Sequence, residues 1–226
     1  MGFGRQARAA DPRDHGRPPH IPQDGPGTRR ARLPRSRRRS ARPRSQPRAE
    51  RAAYTLEAHA DDLAENLPEG AELALGHSLG GLALSRAVTR LRPARAVYEH
   101  PAWRTADARP FDGADLGQLR HATTRQIAAA APRWPAEDVA VERETLRLWD
   151  PATAAFRDPL RGIDLLPQQP PVPPLVVLAD GSEMVGPDRA ALLVERGYEV
   201  RTVPGAGHVV HRDDFGGFLR ALDGWI

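Results

Sequence analysis

From Tyr54 onward the chain alternates between two hydrophobic rhythms. Leu56, Ala60, Leu63 and Leu67 fall at helical spacing, with Thr55 placed as an N-cap, Glu57 in the first turn and Gly70 beyond the end. One face of this helix is expected to pack on a sheet. A short apolar stretch, Ala71 to Leu75, runs into Gly76-His77-Ser78-Leu79-Gly80-Gly81 and then into Leu82 to Leu91, which Pro93 closes. Strand, tight turn, helix is the simplest reading. Ala94 to Tyr98 predicts a second strand, ended by Pro101. Between Trp103 and Leu166 the pattern is mostly helical, with helices expected over Leu116–Ala131 and Glu137–Leu148. That region, about 104–166, reads as an inserted helical cap, with Trp103, Trp134 and Trp149 as its core or as walls of a pocket beneath it. After the prolines of 167–174, the unbroken apolar run Leu175 to Leu178 predicts a strand buried on both faces. A helix from Pro187 through Glu195, a strand Tyr198–Val203 and a last helix Phe215–Trp225 complete the pattern. Strands alternating with helices place the chain in the α/β class with a mostly parallel, doubly wound sheet.

Residues 1–52 have neither rhythm. They hold 15 Arg, 4 acidic residues and only Phe3, Ile21 and Leu33 as large apolar side chains. Such a segment cannot bury enough apolar surface to offset chain entropy and is expected to be disordered, leaving a folded part over 53–226. The remaining chain carries 18 Arg against 25 acids, so the basic balance belongs to the first segment alone. All 33 basic residues are Arg, and the abundance of Arg, Ala, Pro and Gly matches GC-rich coding, which points to a bacterial source. Without cysteine there is no thiol nucleophile, disulfide or thiolate metal site. No long apolar run or signal-peptide core is present, so a soluble, cytoplasmic location is expected. An Arg-rich arm could bind nucleic acid through phosphate contacts, but without interleaved aromatics or a base-reading element no specific nucleic-acid partner is expected.

The chemistry concentrates in three places. Gly76-His77-Ser78-Leu79-Gly80 has small residues two before and two after a serine, as a strained strand-to-helix turn requires. Such a turn exposes the hydroxyl of Ser78 and makes the Leu79 N–H one candidate oxyanion donor. A serine needs a base, and His208 stands in the Gly-flanked loop Pro204-Gly205-Ala206-Gly207-His208, after the last strand and before the last helix. The base needs a carboxylate, and Asp180 and Glu183 lie in the loop after the Leu175–Leu178 strand. His77 reads as orienting the turn, Asp188 as a first-turn helix residue, and His211, beside Arg212 and Asp213, as a surface residue.

Gly-His-Ser-Leu-Gly-Gly, Leu-Ala-Asp-Gly-Ser-Glu-Met-Val and Pro-Gly-Ala-Gly-His-Val-Val-His together resemble the signature of the α/β-hydrolase family, over roughly Tyr54 to Ile226. The resemblance implies a Ser-acid-His order with Ser78 as nucleophile and His208 as base. Aligning Pro187 with the proline that often follows the family's acid selects Glu183, aligning strand ends selects Asp180, and Glu99 matches a third position used by some members. The implied activity is hydrolysis of an ester, thioester or related small carbonyl substrate, with no cofactor and a small-molecule substrate as partner. The early strands and the His-Gly-containing loop of that family have no counterpart in residues 1–52, and His15-Gly16 follows no apolar strand. Arg- and Pro-rich text of this kind is what a shifted reading frame of GC-rich DNA yields, so the segment is read as a replacement of those strands. The nucleophile strand is then expected to lack its usual neighbour, and a catalytically inactive remnant becomes the alternative to a working hydrolase.

Overall fold

The structure, a computed structural model, describes residues 54–104, 118–160, 162–182 and 184–226. The Arg-rich segment 1–52 and Glu183 lie outside the described residues. Helix α1, Leu56–Asn66, begins as its sequence requires: the Thr55 hydroxyl accepts from the Ala58 amide at 3.0 Å, and Leu56 and Ala60 face inward. Strand β1, Ala74–His77, leads through Ser78 into helix α2, Leu79–Leu91, whose inner face buries Leu82, Leu84, Ala87, Val88 and Leu91. Strand β2 is Ala96–Glu99, and strand β3, Pro174–Ala179, is buried throughout. Helix α5, Pro187–Glu195, and strand β4, Glu199–Val203, follow it.

The strands form one parallel sheet in the order β1-β2-β3-β4, with His77 opposite Glu99 and Glu99 opposite Val177. Side chains alternate across it, as strand geometry dictates. Tyr98, Val176 and Leu178 join the core that α1 and α2 close on one face, while Val97, Leu175, Val177 and Ala179 join Phe218, Ala221 and Leu222 on the other. Those last residues belong to helix α7, Phe215–Leu222; a short helix α6, Val210–Asp213, precedes it. Among the described residues β1 pairs only with β2, and Leu75 is 45% exposed.

Between β2 and β3 the chain forms helix α3, Thr124–Ala130, helix α4, Ala136–Leu148, and a 3₁₀ segment, Pro151–Leu160. The two ends of this insertion meet where Arg104 bridges Asp164 and the Leu165 amide donates to the Trp103 carbonyl at 2.8 Å. The expected helix Leu116–Ala131 is interrupted. Thr123 and Gln126 form a reciprocal capping box that starts a helix at Thr124. Trp103 is not a pocket wall: it is fully buried against Tyr98 and Tyr198, with ring centroids 5.1 and 5.9 Å away.

Candidate active site

Ser78 stands between β1 and α2 with φ 51° and ψ −117°, a backbone conformation that costs a residue with a side chain on the order of 1–3 kcal/mol. The surroundings enforce it. The Ser78 amide donates to the Glu99 carbonyl at 3.0 Å, while the Ser78 carbonyl accepts from Leu82 and Ala102, each at 3.1 Å. A Cβ on Gly76 would lie 2.5 Å from the Gly80 carbonyl oxygen, so a bare backbone is what allows the strand to meet the helix so closely. Ser78 is half-buried, and Leu79 is the first residue of α2, where amides lack intrahelical acceptors and favour negative charge.

His208 is exposed and is brought to the end of β1 by its neighbours. His77 Nε2 donates to the His208 carbonyl at 2.9 Å, and the ring of His208 lies 5.0 Å from both the His77 and His100 rings. The loop that carries it is fastened at several points. Asp180 Oδ2 accepts from the Gly205 amide at 3.1 Å, Asp213 Oδ2 accepts from the Gly207 amide at 2.9 Å, and Arg133 donates to the Gly205 carbonyl. A Cβ on Gly207 would fall 2.8 Å from that Asp213 oxygen, which explains the glycine there.

Arg133 comes from the cap, which also braces the other side of the loop. Trp134 Nε1 donates to Asp213 Oδ1 at 3.2 Å, and the Arg212 guanidinium lies 4.6 Å from the Trp134 ring centroid and pairs with Glu142 at 2.7 Å. A cavity of about 740 Å³ lies within the cap, lined by residues including Leu119, Ile127, Trp134, Glu142 and Leu146; neither Ser78 nor His208 lines it.

The three candidate acids fall in different surroundings. Asp180 is exposed and is engaged by the Gly205 amide, while Glu183 lies outside the described residues. Glu99 is fully buried, and its partner is not His208 but His211: Oε1 accepts from the His211 amide at 2.9 Å, and the two oxygens lie 2.8 and 2.9 Å from His211 Nδ1. His211 is therefore not a plain surface residue, because its Nδ1–H donates into the protein interior. Burial raises the pKa of Glu99, but the two hydrogen bonds from His211, helped by the electrostatic influence of His77, outweigh it, and the net shift is below the usual carboxylate range. The carboxyl group is ionised at neutral pH.

His100, next along the chain, has φ 41° and is buried. Its Nε2 lies 2.9 Å from Ser182 Oγ, which accepts from the Val185 amide at 3.0 Å, so the serine proton is available to the imidazole. Burial first, then the neighbouring His208 and His77, push its pKa down to about 4. A neutral imidazole thus pairs with Ser182, whose hydroxyl also accepts from the Val185 amide. Among the described residues no group of His, Cys, Asp and Glu could hold a metal ion, and no helix is long and apolar enough to cross a membrane.

A parallel sheet whose nucleophile-type turn, acid-bearing loop and histidine loop meet at the carboxyl ends of the strands defines a class, and comparison with known proteins gives the same answer. The model of the alpha/beta hydrolase family matches residues 4–221. The chain belongs to that family and is a hydrolase; the matched range begins inside the segment set apart by composition. Among solved structures it is similar to the N-formylmaleamic acid deformylase of Pseudomonas putida S16, at 25% identity and a TM-score of 0.62 over 76% of this chain and 73% of that one. E-2-(acetamidomethylene)succinate hydrolase shares the fold at 22% identity and a TM-score of 0.54, covering 77% and 75% of the two chains. An esterase of Exiguobacterium antarcticum does so at 16% identity and 0.54, covering 78% and 75%. No curated protein matches the chain by sequence.

Proposed function

We propose that the chain is a serine hydrolase in which Ser78 attacks a carbonyl carbon, His208 takes the Ser78 proton, and a carboxylate in the loop after β3 orients His208. The observation that carries this reading is the backbone of Ser78 at φ 51° on the strand-to-helix junction, with His77, the residue before it, donating to the His208 carbonyl. Attack places negative charge on the carbonyl oxygen, which the Leu79 amide at the start of α2 is placed to receive. The leaving group departs with the proton from His208, and water, deprotonated by the same imidazole, releases the acyl group from Ser78.

Glu183 is the favoured acid. Asp180 is exposed and spent on the Gly205 amide, which suits a residue that positions the histidine loop rather than the imidazole. The substrate class is an ester, thioester or related small carbonyl compound. Similarity to a deformylase at 25% identity favours a second reading, hydrolysis of a small N-formyl amide by the same residues.

Steady-state hydrolysis of short p-nitrophenyl esters and of a small N-formyl amide separates the two. Wild type is expected to turn over one of them, Ser78→Ala neither. Glu183→Gln is expected to lower kcat by on the order of 10³-fold or more, by analogy with loss of a triad acid, and Asp180→Asn by less than about tenfold. Turnover that survives Ser78→Ala would refute the assignment.

A further inference from the structure

Glu99 is a charged side chain with no exposed surface, and nothing in the proposed reaction uses it. Burying a carboxylate costs several kcal/mol unless hydrogen bonds replace its water, so what it bonds to is informative. Its backbone carbonyl receives the Ser78 amide at 3.0 Å, and its carboxylate receives both the amide and the ring Nδ1–H of His211 at 2.8–2.9 Å. One residue thereby holds the turn that carries Ser78 and, across 112 residues of sequence, the first turn of α6 just beyond His208. The contacts continue back to the site. The His211 ring stands edge-on to His77, centroids 5.6 Å apart at 83°, and His77 donates to the His208 carbonyl.

We propose that Glu99 and His211 form a second carboxylate–imidazole pair that positions the hydrolytic centre, fixing His77 and the His208 loop against the turn of Ser78. The pair acts through other residues and touches no reacting atom. Because the acceptor is a carboxylate, His211 must keep its proton on Nδ1; because the acceptor of His77 is a carbonyl, His77 must keep its proton on Nε2. Removing the carboxylate charge or the Nδ1 donor loosens the His208 loop at its C-terminal side, leaving it to the Asp213 and Arg212 contacts with the cap and to the packing of Val210. The inference rests on Ser78 and His208 being nucleophile and base, and a displacement of the base by about 1 Å is enough to cost on the order of 10²-fold in rate.

The test uses the full chain and two readouts. In the first, the rate of Ser78 phosphonylation by a fluorophosphonate is compared in wild type, Glu99→Gln, His211→Ala and His211→Asn. The maximal rate constant is expected to fall on the order of 10²-fold in Glu99→Gln and His211→Ala with little change in probe affinity, and to recover to within about fivefold in His211→Asn, whose amide N–H replaces Nδ1–H. In the second, hydrogen exchange of the 205–213 amides is expected to rise about tenfold or more in Glu99→Gln and His211→Ala, with the core of β3 unchanged. Wild-type labelling rates in folded Glu99→Gln, or failure of His211→Asn to outperform His211→Ala, would overturn the proposal. An unlabelled wild type would refute the assignment of Ser78 and His208 as nucleophile and base, and with it any catalytic role for the pair. In that same sample, exchange at 205–213 unaltered by Glu99→Gln would show separately that the pair does not hold the loop.

Discussion

β1 and β3 are short apolar strands of the same sheet, and they end in opposite surroundings. β3 is buried over all six residues and paired on both sides. β1 is paired on one side among the described residues and leaves Leu75 45% exposed, yet it leads into Ser78, a non-glycine residue at φ 51°. The difference teaches that the geometry around Ser78 does not come from burial of its own strand. It comes from what is packed at the strand's end: Gly76 against Gly80, Gly81 against Pro101, the Glu99 carbonyl on the Ser78 amide, and His77 on the His208 carbonyl.

The largest expected effect separates the two strands directly. Leu178→Ala is expected to lower unfolding free energy by about 2–5 kcal/mol, and Leu75→Ala by less than about 1 kcal/mol, because only the first leaves a cavity in a close-packed interior. Urea denaturation of both variants checks this; equal losses would mean that β1 is covered as completely as β3. Next, Gly76→Ala is expected to cost about 3 kcal/mol, since its Cβ would be driven into the α2 backbone. Gly80→Ala is the control, because nothing lies within 4 Å of a Cβ there. Similar losses in the two would mean that close approach at Gly76 is not what shapes the turn.

A smaller effect concerns His100, which joins the two strand ends. Its folded pKa of about 4 lies below its ordinary value of 6.5, so the unfolded chain binds the proton first as pH falls. Stability attributable to the neutral ring is complete above pH 6.5 and is lost progressively toward pH 4, by about 2 kcal/mol between pH 7 and pH 5. His100→Gln, which cannot titrate, is expected to flatten that part of the stability–pH curve. An unchanged acid slope would assign the loss to other groups.

Much of the architecture is legible because it is written locally. The 3.6-residue rhythm of Leu56, Ala60 and Leu63 gives α1, the continuous run Leu175–Leu178 gives β3, and small residues flanking Ser78 give the turn. The break before Thr124 was available as the Thr123–Gln126 capping pattern, which the helical periodicity of 116–131 hides. His211 was not legible. Arg212 and Asp213 beside it suggest a surface, and its partner Glu99 lies 112 residues away, a tertiary pairing that no local pattern encodes. The one sequence hint is Glu99 itself, an acid closing the apolar strand Ala96–Tyr98.

In the proposed reaction Ser78 is a nucleophile activated by His208. Stoichiometric labelling of the full, folded chain with a fluorophosphonate, mapped by peptide mass spectrometry, tests it most directly. One phosphonyl group per chain is expected, on Ser78, absent from Ser78→Ala and His208→Ala. Label on another residue, label persisting undiminished in His208→Ala, or a folded wild type that takes up none would contradict it.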